Sequence, residues 1–213
     1  MNNMKLFRRI IRYLAARNFL FFLNDKSYLK IIYWAKTGNK IDFCNPKNFN
    51  EKIQWLKLYD RNDNYTVMVD KYEAKKYVSN IIGKEYIIPT IGIYNKFDEI
   101  NFDELPNQFV IKCTHDSGGI VVVNDKSRLN ILETKNKINR CLKKNYYYSG
   151  REWPYKNVKP RIIIEKNMST KNENYIRDYK FMCFNGEPKI LYVSDGSHTI
   201  DQQIAFFDMN YNH

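Results

Sequence analysis

Two apolar runs separated by a short polar loop, at residues 108 to 124, constrain the fold more than any other part of the chain. The first run has the period of a β-strand, because apolar side chains alternate with others along Phe109, Val110, Ile111, Lys112, Cys113 and Thr114. The second run, Ile120–Val123, consists of β-branched residues, which favour strands. The stretch QFVIKCTHDSGGIVVVN therefore predicts a β-hairpin.

The loop of this hairpin, HDSGG, has a composition that suits phosphate binding. Adjacent glycines at Gly118 and Gly119 allow positive φ values and leave backbone N–H groups accessible to a phosphate. Lys112, in the preceding strand, is placed to reach the same anion as a point charge. The alternative is an ordinary turn, since Asp, Ser and Gly connect strands in proteins of every function. The hairpin alone leaves both interpretations open.

The composition indicates a folded protein with a basic excess. Of 213 residues, 44% are hydrophobic, and 35 Lys and Arg against 23 Asp and Glu give a formal charge of +12. A protein with this positive charge can bind nucleic acid, an anionic membrane or a phosphorylated substrate. No helix-turn-helix, zinc-finger or RNP signature accompanies it, and we predict no nucleic-acid partner. Cysteines without a C-x-x-C pair, at Cys44, Cys113, Cys141 and Cys183, indicate reduced thiols of a cytoplasmic protein.

The N-terminal third is predicted to be helical. Apolar residues over 6–23 approximate a helical stripe, which Arg8, Arg9, Arg12 and Arg17 interrupt well before the length of a membrane span. This basic helix either packs on its own domain or makes a weak contact with the inner face of a membrane. A second helix is predicted over 27–37, and Asn48 or Asn50 is placed to cap a third.

Helices and strands alternate in the rest of the chain, and we predict an α+β fold. In order, the predicted elements are a helix over 66–78, short strands over 86–88 and 90–94, the opening hairpin, a helix over 129–145, a strand within 161–168, and a second hairpin that turns at Asn185 and Gly186. An Asn-Gly pair between apolar runs is the strongest short hairpin signal.

The order of these elements resembles the ATP-grasp superfamily. A helix with Asp70 and Lys71 precedes Lys112 and the Gly-rich loop, and a strand ending in Glu165 precedes the hairpin that carries Asp178 and Lys180. The chain is most similar to the TupA-like branch, which occurs among genes for capsular and other cell-surface polysaccharides and is often labelled glycosyltransferase. The segments that carry the similarity span about residue 30 to the end: NPKNFNEKIQWLKLYDRN, VDKYEAKKYV, IIPTIGIYNKFDEI, LPNQFVIKCTHDSGG, REWPYKNVKPRIIIEKNM and DYKFMCFNGEPKI.

In such enzymes two α+β subdomains hold ATP between them. The resemblance implies a helical N-terminal region at 1–65, the first part of the core at 66–104, an antiparallel lid subdomain at 105–170, and the beginning of an incomplete C-terminal subdomain at 171–213.

The resemblance also implies roles for particular residues. Lys71 would face the nucleotide from its helix, and Lys112 would contact the α and β phosphates. The lid over the phosphates would be formed by His115, Asp116, Ser117, Gly118 and Gly119. The hinge that reads adenine would consist of Glu165, Lys166, Asn167 and Met168. Lys180, beside Asp178, would reach the γ phosphate or an acyl-phosphate intermediate, so these two are the expected catalytic residues.

Each of these residues also has an interpretation without function. Lys71 beside Asp70 would be a solvated ion pair, and Glu165 the exposed end of a strand. Asp178 and Lys180 would lie on the polar face of a hairpin, and His115 would be a loop histidine without a chemical role. The joint order of the residues favours the functional interpretation.

The reaction implied by the resemblance is ATP-dependent activation of a carboxylate to an acyl phosphate, which an amine then attacks to give an amide. Mg²⁺ would accompany ATP and requires oxygen ligands. ATP-grasp enzymes carry these ligands on late strands, whereas this chain ends at FFDMNYNH without such a motif, and Asp195, Asp201 and Asp208 are not assigned to metal. We therefore expect a truncated, poorly active chain whose metal ligands are unknown, with Phe181, Phe184, Ile190 and Tyr192 partly exposed.

Three functions are compatible with the sequence. The first is a ligase that joins an amine to a carboxylate-bearing sugar or polysaccharide precursor. The second is a glycosyltransferase, although neither an Asp-x-Asp motif nor a Rossmann-like series of strands and helices is present. The third is an inactive remnant of an ATP-grasp enzyme. A cytoplasmic location, or a peripheral one at the inner membrane face, fits each of them.

Overall fold

The computed structural model describes residues 2–169, 177–196 and 200–213. The chain divides into two compact units, Met1–Lys166 and Asn167–His213. The first unit combines helices with a four-stranded antiparallel sheet, and the second is built on a three-stranded antiparallel sheet. The predicted α+β class is confirmed.

The first unit begins with helices, as predicted. They are α1 (Asn2–Ala16), α2 (Asp25–Thr37), α3 (Phe49–Tyr59), α4 (Asp63–Val69) and α5 (Lys71–Ile82). The expected extension of the first helix to residue 23 is wrong, because α1 ends at Ala16 and turns follow. The side chain of Asn48 accepts from the backbone N–H of Glu51 at 3.0 Å, which confirms Asn48 as the cap of α3.

The helix predicted over 66–78 is two helices, which separate at Asp70. Asp70 has an extended backbone (ψ 115°), and its carboxylate accepts from the N–H groups of Tyr72 at 2.8 Å and Glu73 at 3.3 Å. These are the bonds of a helix N-cap, so Asp70 begins α5 instead of continuing α4. Lys71 is consequently the first residue of α5.

The sheet of the first unit consists of β1 (Thr90–Tyr94), β2 (Phe109–Cys113), β3 (Ile120–Val123) and β4 (Ile162–Lys166), in the order β1-β4-β2-β3. β2 and β3 form the predicted hairpin, and β4 pairs antiparallel with both β1 and β2. The strand predicted at 86–88 is wrong, because Lys84–Tyr86 forms a turn of 3₁₀-helix before Pro89.

The two faces of this sheet differ in character. One face packs on α6 (Ile131–Leu142) and forms the apolar core, with Phe109, Ile111, Ile162 and Ile164 fully buried beside Ile138. In the register of the strands, Lys112 lies opposite Ile163 and Val110 lies opposite Glu165, so the charged residues share the other face. The sheet therefore has its main apolar core on one face, and on the other face the charged residues beside the buried Ile163.

The second unit contains β5 (Asp178–Phe184), β6 (Glu187–Asp195) and β7 (Gln203–Phe207), paired antiparallel in that order. Asn185 (φ 52°) and Gly186 (φ 83°) are both left-handed, as a two-residue turn between strands of normal twist requires. The predicted Asn-Gly hairpin is confirmed. Phe181 and Phe184 are exposed, and Ile190 and Tyr192 are half-buried, so the expected partial exposure is also confirmed.

Candidate functional site

Glu165 is the centre of the polar sheet face. Glu165 lies near the end of β4 and is 4% exposed. Its carboxylate oxygens form ion pairs with Lys75 and, at 2.6 Å, with Lys112. Glu165 is therefore not the exposed end of a strand. A buried carboxylate held by two ammonium groups marks a place where the fold concentrates positive charge.

Glu165 remains ionised in this environment. Burial alone raises the pKa of a carboxyl group, but the adjacent ammonium groups of Lys112 and Lys75 outweigh it and hold the pKa of Glu165 below the ordinary value. The carboxylate neutralises part of the lysine charge, and an incoming phosphate would have to share Lys112 with it.

Lys75 is a residue of this cluster to which the sequence analysis gave no role. It lies one helical turn after Lys71 on α5, and the two therefore project from the same side of that helix. The sequence did contain a signal for Lys75, because two lysines four residues apart in a helix project from the same side. Its partner Glu165 is 90 residues away and could not be identified from local pattern.

Lys71 lies at the end of β2, where the Gly-rich loop begins. Its ammonium donates to the carbonyl oxygens of Cys113 at 2.9 Å and Asp116, and its backbone N–H donates to Thr114 at 3.0 Å. Burial lowers the pKa of Lys71 below the ordinary value of a lysine. The structure thus brings Lys71 to the loop, and its role toward the nucleotide stays a prediction.

The interpretation of Asp70 and Lys71 as a solvated pair is wrong. Asp70 is buried, caps α5 and accepts from the guanidinium of Arg161 at 2.8 Å. The same guanidinium contacts Glu73 at 2.9 Å and lies 4.9 Å from the ring centre of Tyr72. Arg161, which the sequence analysis did not assign, therefore fixes the first turn of α5 beside β4.

The loop between β2 and β3 has a rigid part and an exposed part. The ring of His115 is buried, and its Nε2 lies 3.2 Å from the carbonyl oxygen of Cys141 and 3.0 Å from that of Lys144. Asp116 is also buried and accepts from the N–H of Gly119 at 3.0 Å. The His115 side chain therefore anchors the loop to the end of α6, and only Ser117 and Gly118 of this loop are exposed.

The expected positive φ values at Gly118 and Gly119 are wrong, because neither glycine is left-handed. Gly119 is instead required by space: a Cβ there would lie 2.7 Å from the Sγ and 2.9 Å from the Cβ of the buried Cys113. Among the hydrogen bonds of the described residues, none uses the N–H of Ser117 or Gly118. These two amides are available for an anion.

Gly119→Ala is expected to lower the free energy of unfolding by about 1–3 kcal/mol, because the added methyl group overpacks against Cys113. Gly118→Ala is the matched control, since a Cβ at Gly118 meets no atom within 4 Å, and its effect should stay within about 0.5 kcal/mol. Urea unfolding followed by circular dichroism measures both. Equal stability of the two variants would show that the contact with Cys113 does not constrain the loop.

An exposed apolar surface lies beside the lysines. Ile120 lies opposite Lys112 and Val122 lies opposite Val110, so both side chains share the face of Lys112 and Glu165. Ile120 and Val122 are both exposed, at 36% and 56%. The face thus combines ammonium groups with uncovered apolar area, as a site for a ligand with charged and flat apolar parts requires.

The predicted hinge residues follow directly in the chain. The backbone N–H of Lys166 donates to Pro89 at 3.0 Å, and its side chain is exposed. In the second unit, Asn167 is buried and accepts from the N–H and hydroxyl of Ser169 at 3.0 and 2.8 Å, while Met168 is exposed. A role of these residues in reading adenine stays a prediction.

The predicted catalytic residues lie on β5 of the second unit. Asp178 and Lys180 point to the same side of the strand, with Nζ of Lys180 3.4 Å from the carboxylate and 4.9 Å from the ring centre of Tyr192. Both side chains are accessible, at 46% for Asp178 and 59% for Lys180. An accessible ammonium held beside a carboxylate can contact a phosphate without rearrangement of the strand.

The side chains present suit ATP phosphates better than a preformed metal site. Lys71, Lys75 and Lys112, with the N–H groups of the loop, supply the donors that phosphates accept from. Within residues 2–169, 177–196 and 200–213, no group of three or more His, Cys, Asp or Glu side chains could hold a metal ion. Of the late acids, Asp195 pairs with Arg177 at 2.5 Å, and Asp208 accepts from the N–H groups of Asn210 and Asn212.

Comparison with known proteins identifies the family of the chain. The family described as TupA-like ATPgrasp matches residues 51–213, which include the loop, the lysines, Glu165 and the whole second unit. No curated protein and no solved structure matches the chain. Because the matched residues cover most of its length, the chain belongs to the TupA-like ATP-grasp family.

Proposed function

We propose that the chain binds ATP on the polar face of the sheet in its first unit and acts as an ATP-dependent carboxylate–amine ligase. The observation that carries this proposal is the convergence of Lys75 and Lys112 on Glu165, with Lys71 at the neighbouring loop. Fixed ammonium groups offset the charge of a triphosphate and hold it in place for transfer. Membership of an ATP-grasp family supports the same ligand.

The binding roles follow from the positions of the donors. Lys112 would contact the α and β phosphates, and the exposed amides of Ser117 and Gly118 would close over them. Lys71 would keep the loop fixed through its bonds to Cys113 and Asp116. Lys166, Asn167 and Met168 would hold adenine, and Glu165 would set the orientation of Lys112 instead of contacting the base itself.

The reaction would have two steps. A carboxylate oxygen of the substrate attacks the γ phosphorus of ATP, ADP leaves, and an acyl phosphate forms; an amine then attacks the carbonyl carbon, and phosphate leaves. Lys180, oriented by Asp178, would stabilise the charge on the transferred phosphoryl group. Magnesium bound to ATP would supply further charge neutralisation, with phosphates and water as most of its ligands.

The proposed substrates are a carboxylate-bearing sugar or polysaccharide precursor and an amine, in the biosynthesis of a capsular or other cell-surface polysaccharide. Support for this setting is the resemblance of the segments around the loop and the hinge to the TupA-like branch. The proposed lid subdomain is 105–170, between a first core part at 66–104 and a C-terminal subdomain at 171–213. All four cysteines are free thiols, which suits the proposed cytoplasmic location.

The experiment is a binding screen followed by a turnover assay. Isothermal titration calorimetry with ATP and with a UDP-sugar should detect heat of binding for ATP alone. With magnesium and ATP, release of ADP should require both a uronic acid and an amine. Binding of the UDP-sugar without binding of ATP would overturn the ligase proposal in favour of a glycosyltransferase, and ATP hydrolysis independent of a carboxylate would overturn the proposed reaction.

A further inference from the structure

The N-terminal helix α1 packs on the protein with one side only. The guanidinium of Arg8 donates to the carbonyl oxygens of Ala35 at 3.2 Å and Lys36 at 3.0 Å, at the end of α2. Ala15 is buried, and the ring of Phe7 lies 6.1 Å from that of Trp34. These contacts fix the rotation of α1 about its axis, and they determine which side chains it presents to solvent.

An apolar stripe lies on the exposed side of α1. At about 100° per residue, Leu6, Ile10 and Tyr13 fall within roughly 60° of one another. All three are exposed, at 57%, 46% and 56%. The turn after the helix adds further exposed aromatic rings, those of Phe19, Phe21 and Phe22. Isolated exposed apolar residues are common in proteins, but a continuous stripe with three neighbouring rings indicates a contact surface.

A basic stripe runs beside the apolar one. By the same helical geometry, Lys5, Arg9 and Arg12 fall within roughly 60° of one another, between the apolar stripe and the side packed on α2. All three side chains are exposed. Residues 1–24 contain no Asp or Glu, whereas Lys and Arg occur at Lys5, Arg8, Arg9, Arg12 and Arg17. The whole segment therefore carries charge of one sign.

We propose that α1 and the turn that follows it dock this protein on an anionic lipid bilayer, with the helix lying in the plane of the membrane surface. The apolar stripe and the phenylalanine rings would enter the region between headgroups and acyl chains, and Lys5, Arg9 and Arg12 would contact anionic headgroups. Across the described residues, no helix is long and apolar enough to cross a membrane. The geometry is that of an interfacial helix.

The positive charge of the exposed side of α1 favours an anionic bilayer as its partner over a second copy of the chain. Two copies joined through the same stripes would bring two sets of arginines and lysines together, at an electrostatic cost. An anionic bilayer can contact both stripes at once, because its acyl chains can bury the apolar side chains while its negative headgroups attract the basic ones. The docking surface involves none of the residues proposed to bind ATP, so the two proposals are independent.

The test is co-sedimentation of the 213-residue chain with vesicles of phosphatidylcholine alone and of phosphatidylcholine mixed in equal parts with phosphatidylglycerol. The chain should sediment with the mixed vesicles only, and less so as salt is raised. Arg9→Glu with Arg12→Glu should lower the vesicle partition coefficient at least about tenfold. Leu6→Ser with Ile10→Ser should lower it at unchanged net charge, because insertion loses apolar area.

A matched control separates the docking surface from general charge. Lys52→Glu with Lys143→Glu makes the same change in net charge at exposed positions outside α1, and it should lower the partition coefficient much less. An equal loss in the control would overturn the assignment to α1, as would full binding by the Leu6→Ser, Ile10→Ser variant. Absence of vesicle binding together with dimers in analytical ultracentrifugation, abolished by the α1 substitutions, would show that a second copy occupies the surface and would overturn the proposal.

Discussion

Replacing Arg151 with methionine is expected to lower the free energy of unfolding of the first unit by about 3–5 kcal/mol, the cost of breaking a buried charged network. Arg151 is 2% exposed, and Nη2 of its guanidinium lies 3.0–3.2 Å from the carbonyl oxygens of Leu20, Phe21 and Leu23. Its carbon Cζ also lies 4.7 Å from the ring centre of Tyr28. Methionine fills similar space but removes this donor from all three carbonyl groups, of which, among the described residues, only that of Leu20 also accepts from a backbone N–H, that of Leu23 at 3.3 Å.

This network joins distant parts of the chain. Arg151 lies after α7 (Tyr147–Gly150) and contacts the segment between α1 and α2, while Tyr28 of α2 donates to Ser149 at 3.3 Å. Urea unfolding followed by tryptophan fluorescence reports on this unit, because Trp34, Trp55 and Trp153 all lie in it. Arg140→Met is the control, since Arg140 is exposed on α6. A loss below about 1 kcal/mol for Arg151→Met, no larger than in the control, would contradict the structural role.

Lys112→Met is expected to weaken ATP binding roughly ten- to hundredfold, because a charge-assisted hydrogen bond to phosphate contributes about 1.5–3 kcal/mol. The same substitution leaves the buried carboxylate of Glu165 with Lys75 alone, and it should therefore also lower stability. Affinity and stability must be separated before a loss of binding can be assigned to the phosphate contact.

The single variant Glu165→Gln makes this separation, because it keeps Lys112 but removes the negative charge that Lys112 and Lys75 share. Its stability should fall, since two ammonium groups lose their carboxylate, while its ATP affinity should fall much less than that of Lys112→Met. Calorimetric titration measures affinity, and urea unfolding measures stability. Lys143→Met, at an exposed position on no proposed surface, should bind ATP like the parent. A loss of ATP affinity in Glu165→Gln as large as in Lys112→Met would show that Lys112 acts on the fold and not on the nucleotide.

Local pattern was sufficient for the strands and turns that frame the site. Alternation along β2, the β-branched run of β3 and the Asn185–Gly186 pair each determine structure within a few residues, so both hairpins could be predicted. The break at Asp70 was missed because an aspartate is acceptable inside a helix, and only its bonds to Tyr72 and Glu73 make it a cap.

The partners within the site could not be predicted in the same way. Glu165 lies 90 residues from Lys75, and its pairing depends on the antiparallel register of β4 with β2 as well as on the rotation of α5. The order of Lys71, Lys112 and Glu165 along the chain indicated one site through resemblance, whereas Lys75 and Arg161 had no assigned role. The structural role of Arg151 could not be predicted from the sequence, because its partners at residues 20–23 are about 130 residues away.

A crystal structure of the 213-residue chain grown with magnesium and a non-hydrolysable ATP analogue tests the central claim most directly. That claim is the binding of ATP phosphates on the sheet face that carries Lys112 and Glu165. We predict phosphate oxygens within hydrogen-bond distance of Nζ of Lys112 and of the N–H groups of Ser117 and Gly118. A triphosphate bound elsewhere, with Lys112 paired only to Glu165, would contradict the claim.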